Sequence, residues 1–374
     1  MAEKLKNQFG ADVPGRIAGM IFGVSQAFSA DAFVREALDG YEALDITPRG
    51  WKIAEALRRH LPPNYEEAVE ILIASLGPKL EKTENFGMEP FLYLPHVCFV
   101  AKYGLDHFEA SMNAQYELTQ RFSAEFSIRP FLERYLDATL ARLEKWAHDE
   151  SPHVRRLVSE GTRPRLPWAP RLRMFQKDPR PVLALLELLK DDPELYVRRS
   201  VANNLNDIGK DHPSLLVETA REWMRNATEE RRWLIRHALR SAVKRADPGV
   251  LETLGFGDEA NVSIGKVSIT PRRPRIGDSV EITFEITNTG SARQRALVDL
   301  RVHFVKANGK TGAKVFKLKT FEFDPKETVQ LRKIIALTEM TTRKHYAGRH
   351  RIDVVLNGRA KPLGEFNLAD RQPV

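Results

Sequence analysis

Around LGFGDEANV, residues 254–262, the spacing of the apolar residues changes, and one domain cannot accommodate both sides of the change. Upstream, FVREALDGYEALD, GWKIAEALRRHLP and NYEEAVEILIASLGP repeat apolar residues at three and four positions, and the latter two close on proline or glycine, as amphipathic helices do. MEPFLYLPHVCFVAKYG is more apolar and belongs deeper in the same core. Downstream, VSIGKVSIT, DSVEITFEITNTG, ALVDLRVHFV, AKVFKLKTFEF, TVQLRKIIAL and RHRIDVVLN alternate apolar and polar residues between Gly, Asn and Pro turns. A period near 3.6 loads one face of a helix and a period of two loads one face of a strand. The expected architecture is therefore multidomain: an all-α part over 1–256 and an all-β part over 261–374. Six or seven short strands in the second part imply an immunoglobulin-like sandwich, which without cysteines must rely on its packed core.

The helical part repeats. DESPHVRRLVSE, DDPELYVRRSVANN and TEERRWLIRHALRS superpose on Val154-Arg155-Arg156, Val197-Arg198-Arg199 and Ile235-Arg236-His237, at spacings of 43 and 38 residues. A polar opener, an aliphatic residue, two bases and a helical run at a period near 40 residues is the pattern of HEAT-type helical pairs, which stack into a solenoid. Equivalent positions then share a face. Val197, Val201, Leu205 and Ile208 form a buried stripe, while Arg199, Asn203 and Asp207 form a second, polar one beside Arg156 and Glu160. Ahead of these repeats, QYELTQRFSAEFSIRPFLERYLDATLARLEKWAHD predicts two helices joined at Pro130, with Arg121, Glu125 and Arg129 as a surface ladder.

Composition limits the classes of function. An apolar fraction of 42% with 29% charged residues describes an ordinary soluble chain, and no apolar run approaches the ~20 residues of a spanning helix. The polar, interrupted N-terminus lacks the apolar core of a signal peptide, and the single cysteine, Cys98, cannot form an internal disulfide. A cytoplasmic protein without a membrane partner follows. The net charge of +8 divides into −6 over 1–120, +3 over 121–260 and +11 over 261–374, so the later parts suit a polyanion, nucleic acid first. Histidines are scattered, with His148/His153 and His345/His350 five apart rather than four, and GxxxxGKS, GxGxxG and GxSxG motifs are absent. A chain without metal or nucleotide cofactor is expected.

One stretch concentrates chemistry. Arg155 to Arg173, RRLVSEGTRPRLPWAPRLR, holds six arginines and one carboxylate, Glu160, the only acid between Ser151 and Gln176. Pro164, Pro167 and Pro170 forbid a continuous helix, which puts Glu160 near a helix end and Trp168 on a stiff extended loop. Such a loop suits a polyanion surface with a stacking platform. It equally suits a surface ion-pair cluster with a tryptophan plugging a gap, since charge runs usually mark solvated faces.

VRRLVSEGTRPRLPWAPRL followed by VRRSVANNLNDIGKDHP on HEAT-type repeats resembles the DNA alkylation repair glycosylases, specifically the AlkC branch of the AlkC/AlkD group. The strings SEGTRPRLPWA and VRRSVANNLNDI carry the likeness across the central repeats, and the sandwich fits those AlkC members that have an immunoglobulin-like domain. The resemblance implies a DNA glycosylase of base excision repair that removes 3-methyladenine and 3-methylcytosine from duplex DNA. It also implies no metal, and no deep pocket of the kind in which other glycosylases read a flipped base. Residue by residue, Glu160 in SEG, Asp207 in NNLND and Trp168 in PRLPWA match the family's active-site positions, joined by Glu125 in FSAEFSIRPF.

An N3-alkylated base is cationic, so its glycosidic bond is already weak, and carboxylates that stabilise the oxocarbenium-like sugar would do most of the catalysis. On this expectation Glu160 and Asp207 sit nearest the sugar, Glu125 shares water activation, and Trp168 meets the lesion. Arg156, Arg163, Arg165 and Arg199 neutralise flanking phosphates and Asn203 hydrogen-bonds to them. In the sandwich, Arg272, Arg273, Arg275, Arg343 and Lys344 grip the duplex. A monomer is expected. A non-catalytic repeat scaffold that binds nucleic acid or protein is the competing class. A metal-dependent nuclease is disfavoured because its acids would be clustered rather than set among arginines.

Overall fold

A computed structural model of the protein describes residues 8–85, 87–256, 260–339 and 344–370, and divides into two units. The first comprises Met1–Leu216 and Asn226–Ala238, the second Val217–Arg225 and Leu239–Val374. Helices α1 (Asp12–Val24), α2 (Ala30–Leu38), α3 (Ile46–His60), α4 (Tyr65–Ala74), α5 (Leu94–Tyr103), α6 (Phe108–Thr119), α7 (Ile128–Arg134) and α8 (Leu136–Trp146) precede the repeats. They are followed by α9 (Pro152–Gly161), α10 (Arg173–Lys177), α11 (Arg180–Leu189), α12 (Leu195–Asp211), α13 (Pro213–Met224) and α14 (Glu229–Ala238).

Local chemistry sets these boundaries. Asn64 caps α4 by accepting the Glu67 backbone N–H at 3.0 Å, and Glu66 and Glu67 lie in the first turn, where the helix dipole favours them. Pro152 opens α9, where its missing N–H costs nothing. FVREALDGYEALD is not one helix: Gly40 takes a left-handed conformation (φ 66) and separates α2 from a 3-10 turn at Tyr41–Ala43.

The expected surface ladder is likewise corrected. α6 ends at Thr119 and α7 begins at Ile128, with turns between them, so Arg121, Glu125 and Arg129 share no helical face. Each turns inward instead. Arg121 donates to the Gly77 carbonyl at 2.6 Å, Glu125 pairs with Arg156, and Arg129 is buried. Pro130 falls in the first turn of α7, where proline is tolerated, rather than at a joint between helices.

The three aligned strings fall on α9, α12 and α14, and α12 packs against both of the others. Val197, Val201, Leu205 and Ile208 are fully buried, as the spacing predicts, each contributing roughly 1.5–3 kcal/mol of apolar burial. Gly161 permits close approach at the end of α9. A Cβ there would stand 2.5 Å from Ile128 Cγ2 on α7, so the site-bearing helix and its neighbour touch nearly backbone to side chain.

The second unit holds α15 (Arg240–Lys244), α16 (Pro248–Thr253) and seven strands: β1 (Val262–Thr270), β2 (Ser279–Asn288), β3 (Gln294–Val305), β4 (Thr311–Phe323), β5 (Thr328–Ala336), β6 (Gly348–Leu356) and β7 (Arg359–Leu368). They form antiparallel sheets in the orders β1-β2-β5 and β4-β3-β6-β7. Val280, Ile282, Phe284 and Ile286 of β2 pack in one core with Val298, Leu300 and Val302 of β3 and Ile352 and Val354 of β6, giving an immunoglobulin-like sandwich. The seventh strand, RAKPLGEFNL, hides from a periodicity reading because Pro362 and Gly364 interrupt it. It survives as an edge strand, its register with β6 slipping between Ile352 and Asp353. Lys314, Lys317 and Lys319 are exposed on β4, the opposite edge, where lysine also discourages edge-to-edge pairing. No helix among the described residues is long and apolar enough to cross a membrane.

Candidate active site

Charge alternates through the interior of the helical unit. Glu125, in the turn before α7, pairs with Arg156 of α9 at 2.9 Å. One turn along α9, Glu160 lies 3.8 Å from Arg156 and 2.6 Å from Arg163, just beyond the helix end. Arg163 reaches on to Asp207 of α12 at 2.9 Å, and Asp207 also takes a 2.7 Å bond from Lys210. Three carboxylates and three cations thus form one continuous chain across α9 and α12.

Hydroxyls fix the carboxylates in place. Ser200 of α12 donates to Glu160 Oε2 at 2.6 Å, while Arg163 holds Oε1, so both Glu160 oxygens are engaged. Ser123 donates to Glu125 at 2.8 Å and accepts from Arg156 at 3.0 Å. Arg156 also lies over the Tyr196 ring, 5.1 Å from its centroid. Burial alone would raise the Glu160 carboxyl, but Arg156 and Arg163 with the Ser200 hydroxyl outweigh it and hold it below the ordinary carboxylate value. Burial disfavours the Arg156 and Arg163 cations, and their carboxylate partners more than restore them. Arg156, Glu160 and Arg163 are therefore ionised at neutral pH.

A cavity of about 410 Å³ opens over this chain, lined by Glu125, Arg156, Glu160, Arg163 and Tyr196 together with Phe91, Phe122 and Trp168. Glu160 is 5% exposed and Asp207 only 1%. Glu125 and Glu160 face the cavity, whereas Asp207 lies deeper, behind Arg163, and is not part of the wall.

Trp168 does not sit on an extended loop. The segment after Thr162 is a run of turns in which Trp168 takes a left-handed conformation (φ 64), strained by ~1–3 kcal/mol for a bulky residue, and it is 69% exposed. Arg129 holds that segment. Its guanidinium donates to the carbonyls of Gly161 (3.1 Å), Arg163 (2.9 Å) and Pro170, binding both ends of the turn to α7. Arg165 adds a second tie by pairing with Asp211 of α12 at 2.9 Å.

The arginines singled out from sequence thus behave differently from expectation. Arg156, Arg163 and Arg165 are committed to carboxylates, and Arg163 is 7% exposed, because the carboxylates they meet across the fold are nearer than solvent. Arg199 makes only an exposed 3.4 Å pair with Glu84, and Asn203 lies 3.3 Å from His237 Nε2. Arg171 and Arg173, close to Trp168 in sequence, are exposed and their side chains have no hydrogen-bond or ion-pair partner among the described residues. In the sandwich Arg272, Arg273, Arg275 and Lys344 are exposed and their side chains likewise lack such partners, while Arg343 lies outside the described residues. Sequence reasoning missed Ser200, Lys210 and the structural role of Arg129. Ser200 left a trace: the aligned repeats place Leu157 and Ala238 at its position, so a buried hydroxyl there is the exception. No group of three or more His, Cys, Asp or Glu side chains among the described residues could hold a metal ion.

Comparison with known proteins gives concordant results. Residues 121–242 match a family model described as DNA alkylation repair enzyme, and residues 263–370 match one described as the C-terminal Ig-like domain of the uncharacterised protein YhaZ. The chain is 36% identical over 331 residues to the uncharacterized protein YhaZ of Bacillus subtilis (strain 168), covering 88% of this chain and 89% of that protein. It is also similar to the alkylpurine DNA glycosylase AlkC of Pseudomonas fluorescens, solved bound to DNA containing an abasic site analog. That likeness has a TM-score of 0.92 and 38% identity over 98% of this chain and 100% of the other.

Proposed function

The chain belongs to the AlkC-type DNA alkylation repair glycosylases, and from that premise we propose that it excises cationic N3-alkylated bases, 3-methyladenine and 3-methylcytosine, from duplex DNA. It is a DNA N-glycosylase whose partner is DNA. The observation that carries the finer reading is the Glu125–Arg156–Glu160–Arg163–Asp207 chain beneath an aromatic-walled cavity.

The lesion arrives with its own positive charge, so the leaving base needs little general-acid help. As the glycosidic bond lengthens, positive charge moves to the deoxyribose. Glu160, held as the anion by Arg156 and Arg163, and Glu125 face the cavity already oriented by Ser200 and Ser123, and stabilise that charge without reorganising. Asp207 reinforces the field from behind Arg163, and it reaches the sugar itself when phosphate draws that guanidinium aside. Glu125, the less enclosed carboxylate, orients the attacking water. Trp168, held open by Arg129, offers its ring face to the cationic lesion.

Arg156 and Arg163 act chiefly as counter-ions to three carboxylates, and Arg165 fixes the turn segment. Phosphate contacts then fall to Arg199, Asn203, Arg171 and Arg173 in the helical unit and to Arg272, Arg273, Arg275 and Lys344 in the sandwich, with Arg343 beside them in sequence. A passive DNA binder would gain nothing from carboxylates in the wall of its cavity, since they repel phosphate, which favours catalysis over a scaffold role. One chain supplies every group invoked, consistent with a monomer.

Release of free base from methylated duplex DNA tests this. Wild type should release 3-methyl bases, while Glu160→Gln and Asp207→Asn should lose about 10²–10³-fold in rate with DNA binding retained, as for loss of one preorganised electrostatic group. A folded wild-type protein that releases no methylated base overturns the reading.

A further inference from the structure

Behind Trp168 lies a second cavity, of about 300 Å³, that the catalytic scheme does not use. It shares Phe91, Phe126 and Trp168 with the cavity above the carboxylates, so the same three aromatic side chains wall both spaces. Trp51 of α3 supplies a further aromatic wall, and Leu94, Val97, Cys98 and Ala101 of α5 add an apolar one. Three polar residues interrupt this lining: Thr47, Arg129, whose buried Nε–H has no hydrogen-bond partner among the described residues, and the exposed Glu133.

An unpaired buried N–H is costly, by ~1–3 kcal/mol, and is uncommon in native structures. Arg129 satisfies its two terminal nitrogens on the Trp168 turn and leaves the Nε–H unmatched in a residue that lines a cavity. Aromatic faces, a spare N–H donor and a carboxylate acceptor make up a particular complement. An aminopurine or aminopyrimidine matches it, with flat π faces, ring nitrogens that accept and an exocyclic amine that donates.

Resting on the glycosylase reading, we propose that this cavity binds the free excised base. Once the glycosidic bond is broken the base is no longer tethered to the strand, and it passes beneath Trp168 from the catalytic cavity into the adjoining one. There Trp51 and Trp168 flank its faces, and Arg129 and Glu133 meet its edge. The base is held away from the abasic sugar, and recombination is prevented. The deep space receives the product rather than the substrate, which is compatible with excision from an unflipped lesion.

Calorimetric titration of free 3-methyladenine into the full-length protein without DNA is the direct test, run beside single-turnover base release and product inhibition of multiple-turnover release. Saturable one-site binding is expected, weakened about tenfold by Trp51→Ala through loss of a stacking partner. Glu133→Gln, an exposed conservative change that leaves packing intact, should weaken binding to a smaller extent and relieve product inhibition in proportion. Single-turnover release should be unchanged in both. Wild type that excises methylated bases but shows no saturable binding of the free base overturns the cavity assignment and leaves the glycosylase reading standing. Binding equally tight in both variants overturns it as well. Wild type without excision defeats the glycosylase reading separately, before product binding is considered.

Discussion

Both the helical unit and the sandwich carry many arginines, and two trios of them, one in each, are used in opposite ways. Arg156, Arg163 and Arg165 are each paired to a carboxylate at 2.9 Å or less, whereas Arg272, Arg273 and Arg275 stand exposed, their side chains without hydrogen-bond or ion-pair partners among the described residues. Other sandwich arginines, such as Arg332 and Arg349, pair with carboxylates. The same side chain therefore does two jobs. Paired and enclosed, it favours the anion of a carboxylate such as Glu160, whose burial acts in the other direction. Unpaired and solvated, it offers charge to an anion that arrives from outside. Net charge cannot distinguish these uses, because each arginine adds one positive charge whether or not a carboxylate faces it.

The contrast is broken most severely at Arg163. Replacing it by methionine leaves Glu160 and Asp207 enclosed without their shared cation, and chemical denaturation should record a loss of about 3–5 kcal/mol, the usual cost of orphaning one side of a buried pair. A loss below ~1 kcal/mol, typical of exposed pairs, would put Arg163 in the same class as the sandwich arginines.

Ser200→Ala is a smaller perturbation of the same cluster. Removing a hydrogen bond to a charged acceptor should slow base release by roughly tenfold at neutral pH. The sign of the pH effect follows from the depressed Glu160 carboxyl. Losing a donor that favours the anion raises that pKa towards its ordinary value of 4.5, so the acid limb of the rate profile moves to higher pH. An acid limb that stays in place would show that Ser200 packs without orienting Glu160. Smallest in folding terms is the triple change of Arg272, Arg273 and Arg275 to glutamine. Stability should hold, while the dependence of log affinity on log salt flattens by about 0.9 for each phosphate contact removed. An unchanged salt slope would assign the sandwich arginines to solubility alone.

How legible each part was follows from the range of the forces involved. The repeat strings, the buried stripe of α12 and six of seven strands were readable because periodicity is a local consequence of backbone geometry. β7 was not, since its pairing with β6 tolerates a proline and a glycine that locally argue against a strand. The Arg121–Glu125–Arg129 ladder failed for a related reason: helical spacing was extended through a turn, and its three residues bond to distant carbonyls and to the Arg156 guanidinium. Glu160, Asp207, Glu125 and Trp168 were named from motif likeness, but their connection was invisible. Arg163 meets Asp207 from 44 positions away, and Ser200 meets Glu160 from 40.

By itself, then, the sequence determined two kinds of secondary structure, a repeat register, a basic C-terminal third and a small set of chemically loaded residues. Each follows from neighbouring side chains or from summed charge. Only the tertiary structure decided which arginines are counter-ions and which are free, which carboxylates face the cavity, and that Arg129 holds the Trp168 turn. Those outcomes depend on which charges meet across packed helices. Coulomb energies over a few ångströms inside the protein far exceed those in water, so partners chosen by the fold outweigh anything local sequence can indicate.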